Sequence, residues 1–326
     1  MNSFGRLFRV TIFGESHGAS VGINIDGCPA GIALSEADLM ADLARRKSGA
    51  KGTTPRSEED LPEIISGVFN GHTTGAPITI IFRNTNTISK DYSNLVTSPR
   101  PGHADYVAQE KYKGYQDYRG GGHFSGRVTL GLVAAGAIAK EVLEGVTIGA
   151  KLVSVGGRTD IDAVIDEVVA THDSVGGVVE CRAAGLPVGW GEPFFDSVES
   201  AIAHIAFAIP ATKGIEFGSG FAAATMRGSE HNDAIITPNG KTASNHAGGI
   251  NGGISNGNEL VFRVAIKPTS SIGVAQQTLN RETGQVEELM IKGRHDACIA
   301  LRVPVVLEAA TAIALADLSL VAKAYL

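Results

Sequence analysis

The amino-acid sequence predicts an α+β fold with antiparallel sheets, organised as a single domain over residues 1–326. Segments with the pattern of strands occur as neighbouring pairs rather than in strict alternation with helices, which favours antiparallel sheets. No Pro/Ser-rich or charged linker interrupts the chain, although its length would allow one large domain or two. Because only 6% of the residues are aromatic, the core must be aliphatic.

The first half of the chain is predicted to begin with paired strands and a capped helix. Ser35 caps a helix that runs to about Lys47, and Glu36 and Asp38 lie in its first turn, where acidic side chains favour a helix. A long apolar helix is expected at about 125–144. The strands predicted in this half are 7–13, 20–25, 63–69 and 76–83.

The second half continues with strands, amphipathic helices and a closing helix. Pro304 begins that last helix, which runs nearly to Leu326, because proline is favoured at a first helical position. Helices are also predicted at 159–170 and 194–209. The strands predicted in this half are 146–155, 175–182, 214–227 and 259–266.

The two halves contain a weak internal similarity. Residues 21–31, followed by a helix, resemble residues 176–189, also followed by a helix. If this pattern is a repeat, two similar halves related by a pseudo-twofold axis pack together as one domain.

Charge and composition exclude several classes of function. The net charge of −6 and the pI near 5.9 disfavour a nucleic-acid surface, which usually carries a basic excess. The longest apolar run, 130–139, is too short to span a bilayer, and no signal peptide is evident. The three cysteines are far apart and form no disulfide framework. We therefore expect a cytoplasmic enzyme that binds neither nucleic acid nor membrane.

Histidines and arginines are concentrated in glycine-rich loops. Glycine lets the backbone approach a ligand closely, arginine binds phosphate or carboxylate, and histidine exchanges protons near neutral pH. This combination predicts a pocket for polyanionic small molecules with acid–base chemistry inside it. The five histidines in such loops are His17, His103, His123, His246 and His295.

Structural explanations compete with this hypothesis for individual side chains. A glycine-flanked histidine is usually a turn residue, which is the interpretation favoured for His72, His172 and His231. His204 lies on a predicted helix and is expected in the core or an interface. Cations in 45–56 could simply be a solvated helix end. Nucleotide and zinc motifs are absent, and histidine–carboxylate pairs lack regular ligand spacing, so no metal site is predicted.

The sequences of the loops and their order along the chain resemble those of the chorismate synthase family over essentially the whole chain. The matching motifs begin with Phe-Gly-Glu-Ser-His-Gly (13–18), Asp-Gly-Cys-Pro-Ala-Gly (26–31), Arg45-Arg46-Lys47 and 66–78. They continue with Arg-Pro-Gly-His-Ala-Asp-Tyr (100–106), Tyr-Arg-Gly-Gly-Gly (118–122), 244–257, Lys-Pro-Thr-Ser-Ser-Ile (267–272) and Gly-Arg-His-Asp (293–296). Each motif alone is modest evidence, but in this order they are very specific.

The resemblance implies a reaction, a cofactor and an architecture. The reaction is the trans-1,4-elimination of phosphate from 5-enolpyruvylshikimate 3-phosphate to give chorismate, with reduced FMN and no net redox change. The reduced flavin is expected either from NADPH bound by the chain or from an external flavin reductase. The implied fold is a β-α-β sandwich with a helical layer between antiparallel sheets, assembled as a homotetramer (a dimer of dimers).

The resemblance also implies roles for individual residues. His17 matches the histidine that protonates the leaving phosphate, and His103 matches the one near the reduced flavin that favours its charge state. Asp296 matches the acid that relays a proton from flavin N5. The substrate-binding positions are Ser16, Arg46, Lys51, Arg100 and Arg127. The cofactor-binding positions are Arg46 (also implicated where NADPH binds), His123, Phe124, Ser125, Pro210, Ala211, Gly252, Lys267, Pro268, Thr269, Ser270, Ser271 and Arg294.

The chain departs from the family pattern around the expected flavin site. The family usually reads Arg-Ser-Ser-Ala-Arg-Glu-Thr, whereas residues 123–129 read His-Phe-Ser-Gly-Arg-Val-Thr. Ser125 and Arg127 are retained, but an arginine, a serine and a glutamate of the family motif are lost. Pro210 stands in place of an asparagine, and Lys51 stands where many members have arginine. A ring at Phe124 would stack on the flavin or narrow its site.

Two alternative functions would place the chain in other classes of protein. One is a non-catalytic relative that binds flavin or a phosphometabolite and has lost turnover. The other is a metal-dependent phosphohydrolase that uses the histidine loops. The presence of His17, His103 and Asp296 favours the enzyme over the first alternative, and the absent ligand spacing disfavours the second.

Overall fold

The computed structural model describes residues 1–49, 51–54, 59–85, 95–291 and 295–325. Its strands are β1 (Ser3–Phe4), β2 (Arg9–Gly14), β3 (Ser20–Asp26), β4 (Pro62–Ser66), β5 (Val68–Phe69), β6 (His72–Thr73), β7 (Ile78–Arg83), β8 (Thr147–Val155), β9 (Gly177–Ala184), β10 (Thr212–Phe217), β11 (Ile250–Asn251), β12 (Ile254–Ser255), β13 (Leu260–Ile266), β14 (Gln276–Leu279) and β15 (Val286–Leu289). Its α-helices are α1 (Glu36–Arg46), α2 (Asp105–Lys111), α3 (Thr129–Val142), α4 (Ile161–Ala170), α5 (Val198–Ala206), α6 (Gly228–His231) and α7 (Val303–Ala324).

Two antiparallel sheets form the frame of the fold. The first has five strands in the order β1-β2-β3-β7-β4, and the second has four in the order β10-β13-β9-β8. In the first sheet, Ile23 pairs with Ile12 on one side and with Ile80 on the other, and both Ile23 and Ile80 are fully buried. In the second, Phe262 pairs with Cys181, and both are again fully buried. The register therefore directs one aliphatic face of each sheet into the core.

The two sheets have related strand orders, the arrangement that an internal repeat would produce. Apart from β1, the two-stranded sheets and the helices α2, α4 and α6, each half contains two strands, a helix, two more strands and a long apolar helix, in that order. The four strands lie in the order β2-β3-β7-β4 in one half and β8-β9-β13-β10 in the other. The similar segments 21–31 and 176–189 fall on β3 and β9, which occupy equivalent positions.

A helical layer lies between the sheets, as the predicted sandwich requires. The helix α3 packs against β3 and α7, while α7 packs in turn against β8, β9 and α5. Almost every side chain of α7 is buried, so this long apolar helix is a core element although its length and composition would suit a membrane span. One cluster of buried aliphatic side chains extends from the first sheet through these helices to the second.

Most predicted elements are present, with corrections at their ends. The capped helix is α1, in which the Asp38 carboxylate accepts a hydrogen bond of 2.7 Å from the Ser35 N–H. The helix expected at 125–144 begins only at Thr129, because residues 126–128 form a 3-10 turn. The strand expected at 214–227 ends at Phe217, since Gly218 has a positive φ and a 3-10 helix follows.

Candidate active site

A cavity of about 660 Å³ lies between the two halves of the fold. It brings together three segments that the sequence predicts as cofactor contacts, although they are far apart in the chain. Residues 123–125 precede α3, residues 210–211 join α5 to β10, and residues 267–271 follow β13. Arg100 and His103 line the same cavity. The structure thus places ten predicted cofactor residues and two predicted substrate or catalytic residues around one space.

The walls of the cavity are largely apolar, whereas one end is polar. Phe124 is 39% exposed and presents its ring to the cavity, with the ring of Tyr112 at 6.3 Å between centroids. The remaining apolar part of the wall comes from β2, α3, α5 and the residues that follow α5. Its members are Val10, Ile12, Leu132, Ile205 and Phe207 with the neighbouring Pro210.

The polar end is built from the segment after β13. Lys267 Nζ donates to Ser270 Oγ at 2.8 Å. Burial lowers the pKa of Lys267, and the positive charge of Lys213 lowers it further. The Thr269 Oγ1 atom is buried and has no hydrogen-bond partner among the described residues. A largely apolar cavity with an ammonium group and hydroxyls in its lining fits a flat ring system that carries a phosphate group.

His103 is fixed at the cavity by a buried carboxylate that the sequence prediction did not include. Its Nδ1 lies 2.6 Å from Asp105 Oδ1, and Arg100 donates to Asp105 from Nε at 2.7 Å and from a terminal nitrogen at 2.8 Å. Arg100 also donates to Ser271 Oγ at 2.9 Å, which ties this cluster to the polar end. Burial alone would raise the pKa of Asp105, but hydrogen bonds from Arg100 and His103 outweigh it and hold the pKa well below its usual range.

His17 lies behind the glycine run that lines another part of the cavity. It is 7% exposed, and its Nδ1 lies 3.1 Å from Ser16 Oγ, which in turn donates to the carbonyl oxygen of Gly120 at 3.0 Å. A Cβ on Gly120 would lie only 2.1 Å from His17 Cε1, and this residue has a φ of 57°. Glycine at 120 is therefore required both by its backbone conformation and by the close approach of the histidine ring.

Arg46 and Arg127 share one buried carboxylate at the start of α3. Asp60 accepts from Arg127 at 2.8 Å and from Arg46 at 3.4 Å. Arg46 also donates to the Gly126 carbonyl and to Thr129 Oγ1, and both of these residues line the cavity. The two arginines therefore lie immediately behind the cavity wall and are not part of its lining.

Other predicted residues lie away from the cavity. Lys51 forms an exposed ion pair with Asp166, and Gly252 occupies the turn between β11 and β12. Asp296 accepts from the Thr54 N–H at 2.6 Å and from Arg302 at 3.4 Å, and its neighbour His295 reaches the cavity lining. Arg294 lies outside the described residues.

Several lining residues are missing from the sequence prediction. His204, expected in the core or an interface, lies in the cavity wall and packs its ring edge-on against Phe4 at 5.3 Å. Residues 1–4 form a further part of the wall. Asp105, which binds His103 from outside the lining, is also missing from the predicted site. Its sequence signal is its position, two residues after His103 in a glycine-rich motif.

The fold and site together define an enzyme that handles anionic small molecules by acid–base chemistry in a largely apolar cavity. A family model described as chorismate synthase matches residues 8–320. A chorismate synthase of Chitinophaga pinensis is 67% identical over 321 residues, covering 98% of this chain and 97% of the relative. One from Dehalococcoides mccartyi is 47% identical over 353 residues, covering 98% of this chain and 96% of the relative.

A solved structure supports the same assignment at the level of the fold. The structure, described as a crystal structure of chorismate synthase, superposes with a TM-score of 0.75 at 29% identity. The superposition covers 97% of this chain and 92% of the other. The chain belongs to the chorismate synthase family and is a carbon–oxygen lyase.

Proposed function

We propose that the chain converts 5-enolpyruvylshikimate 3-phosphate to chorismate and phosphate by trans-1,4-elimination. The observation that carries the proposal is the convergence of 123–125, 210–211 and 267–271 with Arg100 and His103 around one cavity. The family relationship of the whole chain supports the same reaction. The substrate carries one phosphate and two carboxylates, so a site for it needs several cationic or hydrogen-bond-donating groups.

Reduced FMN fits the cavity and would be held by the residues already described there. The ring system would lie against Phe124, Pro210 and the aliphatic wall, and the phosphate would be bound by Lys267, Thr269 and Ser270. When bound, reduced FMN would supply electron density that favours the departure of the substrate phosphate without net redox change. The apolar wall would exclude water from both rings.

The proton-handling residues are assigned to different parts of the site. His17, with Ser16 at its Nδ1, is proposed to give a proton to the leaving phosphate. His103 is proposed to hold a proton near the cofactor, because the ionised Asp105 and the Arg100 fork fix its ring. Asp296 is proposed to accept the proton that the substrate loses.

The arginines are assigned to substrate binding by their position, either in the cavity lining or directly behind it. Arg100 lines it, while Arg46 and Arg127 lie just behind the wall at Gly126 and Thr129. We retain these three as proposed substrate residues. Lys51, Gly252 and Arg294 remain predictions from the family resemblance alone.

The wider setting is also proposed from the family relationship. We propose a single domain, a homotetramer and a cytoplasmic location, with NADPH or a separate flavin reductase as the source of reduced flavin. The one buried cluster that joins both sheets supports the single domain.

The test is an anaerobic reaction of purified protein with the substrate and chemically reduced FMN. Chorismate and phosphate should form in equal amounts, and only when reduced flavin is present. Failure to form chorismate despite bound FMN would contradict the proposal and favour the non-catalytic binding protein. Activity that persists with a strong chelator would dismiss the metal-dependent phosphohydrolase.

Substitution of the two histidines tests their assignment. His17→Ala and His103→Ala should each lower turnover by about two to four powers of ten, the range for lost general acid–base catalysis. A matched control is His72→Ala, because His72 is exposed and bonded only locally to the Asn70 carbonyl among its described hydrogen bonds. If His17→Ala melts the protein while the folded fraction turns over normally, His17 has a structural role.

A further inference from the structure

The segment at residues 1–4 forms one wall of the cavity. The strand β1 pairs with β2 through Ser3 and Phe4, and the Ile12 N–H donates to the Asn2 carbonyl at 2.9 Å. This pairing attaches the segment along the edge of the first sheet. The side chains of Asn2 and Phe4 then reach across to other parts of the cavity.

His123, at the position where the chain departs from the family pattern, binds this segment through its ring. Its Nδ1 lies 2.8 Å from the Gly14 carbonyl oxygen, and its Nε2 lies 3.1 Å from the Asn2 side-chain oxygen Oδ1. A carbonyl oxygen only accepts, so Nδ1 carries a proton. Nε2 donates to Oδ1 when the ring is charged; when the ring is neutral, Nε2 accepts from the NH2 of an Asn2 amide turned by a half-rotation. Both ring nitrogens are thus engaged by protein atoms, and the contact persists in either protonation state.

The segment is also attached to the second half of the fold. The Phe4 ring packs edge-on against His204 of α5, and both residues line the cavity. Just beyond the segment, the Asp317 carboxylate on α7 accepts hydrogen bonds of 2.7–2.9 Å from the backbone N–H groups of residues 6, 7 and 8. The wall at residues 1–4 is therefore held by β2 and His123 on one side and by α5 and α7 on the other.

We propose that Asn2 is a positioning residue: its contact with His123 holds the N-terminal wall against the cavity and so sets the affinity for the flavin ring. The inference rests on the proposed function, because it assumes that FMN occupies this cavity. Asn2 acts through the wall, since a wall held in place before binding lowers the ordering cost when the ring enters. His123 then serves to fix the wall, and its two ring nitrogens bind protein atoms instead of the flavin.

The experiment measures the affinity of the full chain for oxidised FMN by flavin fluorescence, using Asn2→Ala, His123→Ala and the double variant. Each single substitution should weaken FMN binding by about three- to ten-fold, the effect of losing one net hydrogen bond. The double variant should bind no more weakly than the weaker single variant, because the two side chains contribute through one contact. His72→Ala is the control and should bind FMN as the unsubstituted chain does.

A second measurement follows the wall itself by hydrogen exchange of the peptide covering residues 1–13. FMN should slow exchange in this peptide in the unsubstituted chain and should slow it less in Asn2→Ala. If Asn2→Ala keeps an affinity within about two-fold of the original and the same protection, the inference is overturned while the proposed function stands. Additive losses in the double variant overturn it as well. If the unsubstituted chain binds neither oxidised nor reduced FMN, the proposed function fails first and this inference fails with it.

Discussion

At the scale of single residues, the cavity depends on carboxylates that orient more reactive groups. Asp105 joins His103 and Arg100 in one cluster, and Asp60 joins Arg46 and Arg127 in another. A buried carboxylate of this kind is stable only because charged donors surround it. Its removal should therefore change what the neighbouring side chains do, even where the backbone stays in place.

Asp105→Asn should lower turnover by about ten-fold or more, up to the full effect of general acid–base catalysis of about two to four powers of ten. The amide keeps an oxygen that can accept from His103, but it removes the negative charge beside the imidazole. The imidazole then loses the ionised partner that holds its ring at the cavity, so the step that His103 assists should slow. The measurement is kcat of both proteins at one neutral pH.

Two comparisons separate orientation from simple structural damage. His103→Ala should remove the same proton-handling step, so adding Asp105→Asn to it should cost little further turnover. If Asp105→Asn costs as much turnover in the His103→Ala background as in the original chain, it does not act through His103 and is a structural residue.

At the scale of elements, the sequence predicts what depends on local pattern. The strands β2, β3, β8, β9 and β13 follow from short apolar runs bounded by glycine, and α1 follows from its cap at Ser35. The start of α3 is displaced because residues 126–128 form a 3-10 turn, a conformation that the apolar pattern does not reveal. The helix α2 and the hairpin β14–β15 are short and mostly exposed, so their patterns are weak.

The site residues also divide into those that a local sequence motif predicts and those that only the fold reveals. The segments at 123–125, 210–211 and 267–271 could be selected by motif, but only the fold shows that they line one cavity. Asn2 touches His123 across 121 positions of sequence, and Asp317 binds the Arg6 backbone across 311. Contacts of such separation depend on how the sheets and helices pack, so local patterns contain no information about them.

The contact between α3 and α7 permits a prediction about helix packing. A Cβ on Gly136 of α3 would lie 2.3 Å from both Cα and Cβ of Ala309 on α7. Alanine in place of glycine normally stabilises a helix interior by about 1 kcal/mol. Here Gly136→Ala should instead destabilise the protein by about 1–3 kcal/mol, the typical effect of overpacking a core. Urea unfolding measures the change.

Gly149→Ala is the matched control for that substitution. Gly149 lies in β8, and a Cβ there would meet no atom within 4 Å. Glycine weakens a strand interior, so this change should be neutral or slightly stabilising. If Gly136→Ala raises the free energy of unfolding instead, the two helices do not approach as closely as the structure indicates.

At the scale of the whole molecule, charged groups connect the two halves that enclose the cavity. Glu308 of α7 is 3% exposed and accepts two hydrogen bonds, at 2.6 and 2.7 Å, from Arg45 of α1. It also accepts from the Ala150 N–H of β8 at 2.9 Å. The hydrogen bonds that Arg45 donates to Glu308 raise the pKa of Arg45, so its guanidinium stays charged at any ordinary pH. Because the cavity is lined from both halves, such links preserve its shape.

Acid should weaken the whole fold by protonating carboxylates whose pKa is lowered by folding, and Asp105 offers the clearest test. Its pKa is lowered in the folded protein, whereas in the unfolded chain it is about 3.9. The ionised carboxylate therefore contributes stability at pH values above about 4, and this contribution is lost as the pH falls towards the folded value. The measurement is the free energy of unfolding by urea at a series of pH values from neutral to acidic.

Asp105→Asn should be less stable than the original chain at neutral pH, because Arg100 then remains buried without its carboxylate. The variant lacks the titrating group, so its stability should fall less steeply below about pH 4. The two stability curves should therefore approach each other in acid. Parallel curves over the same range would show that Asp105 does not titrate with unfolding, and that other carboxylates, such as Asp117 with its pKa lowered by Arg119, determine the acid sensitivity.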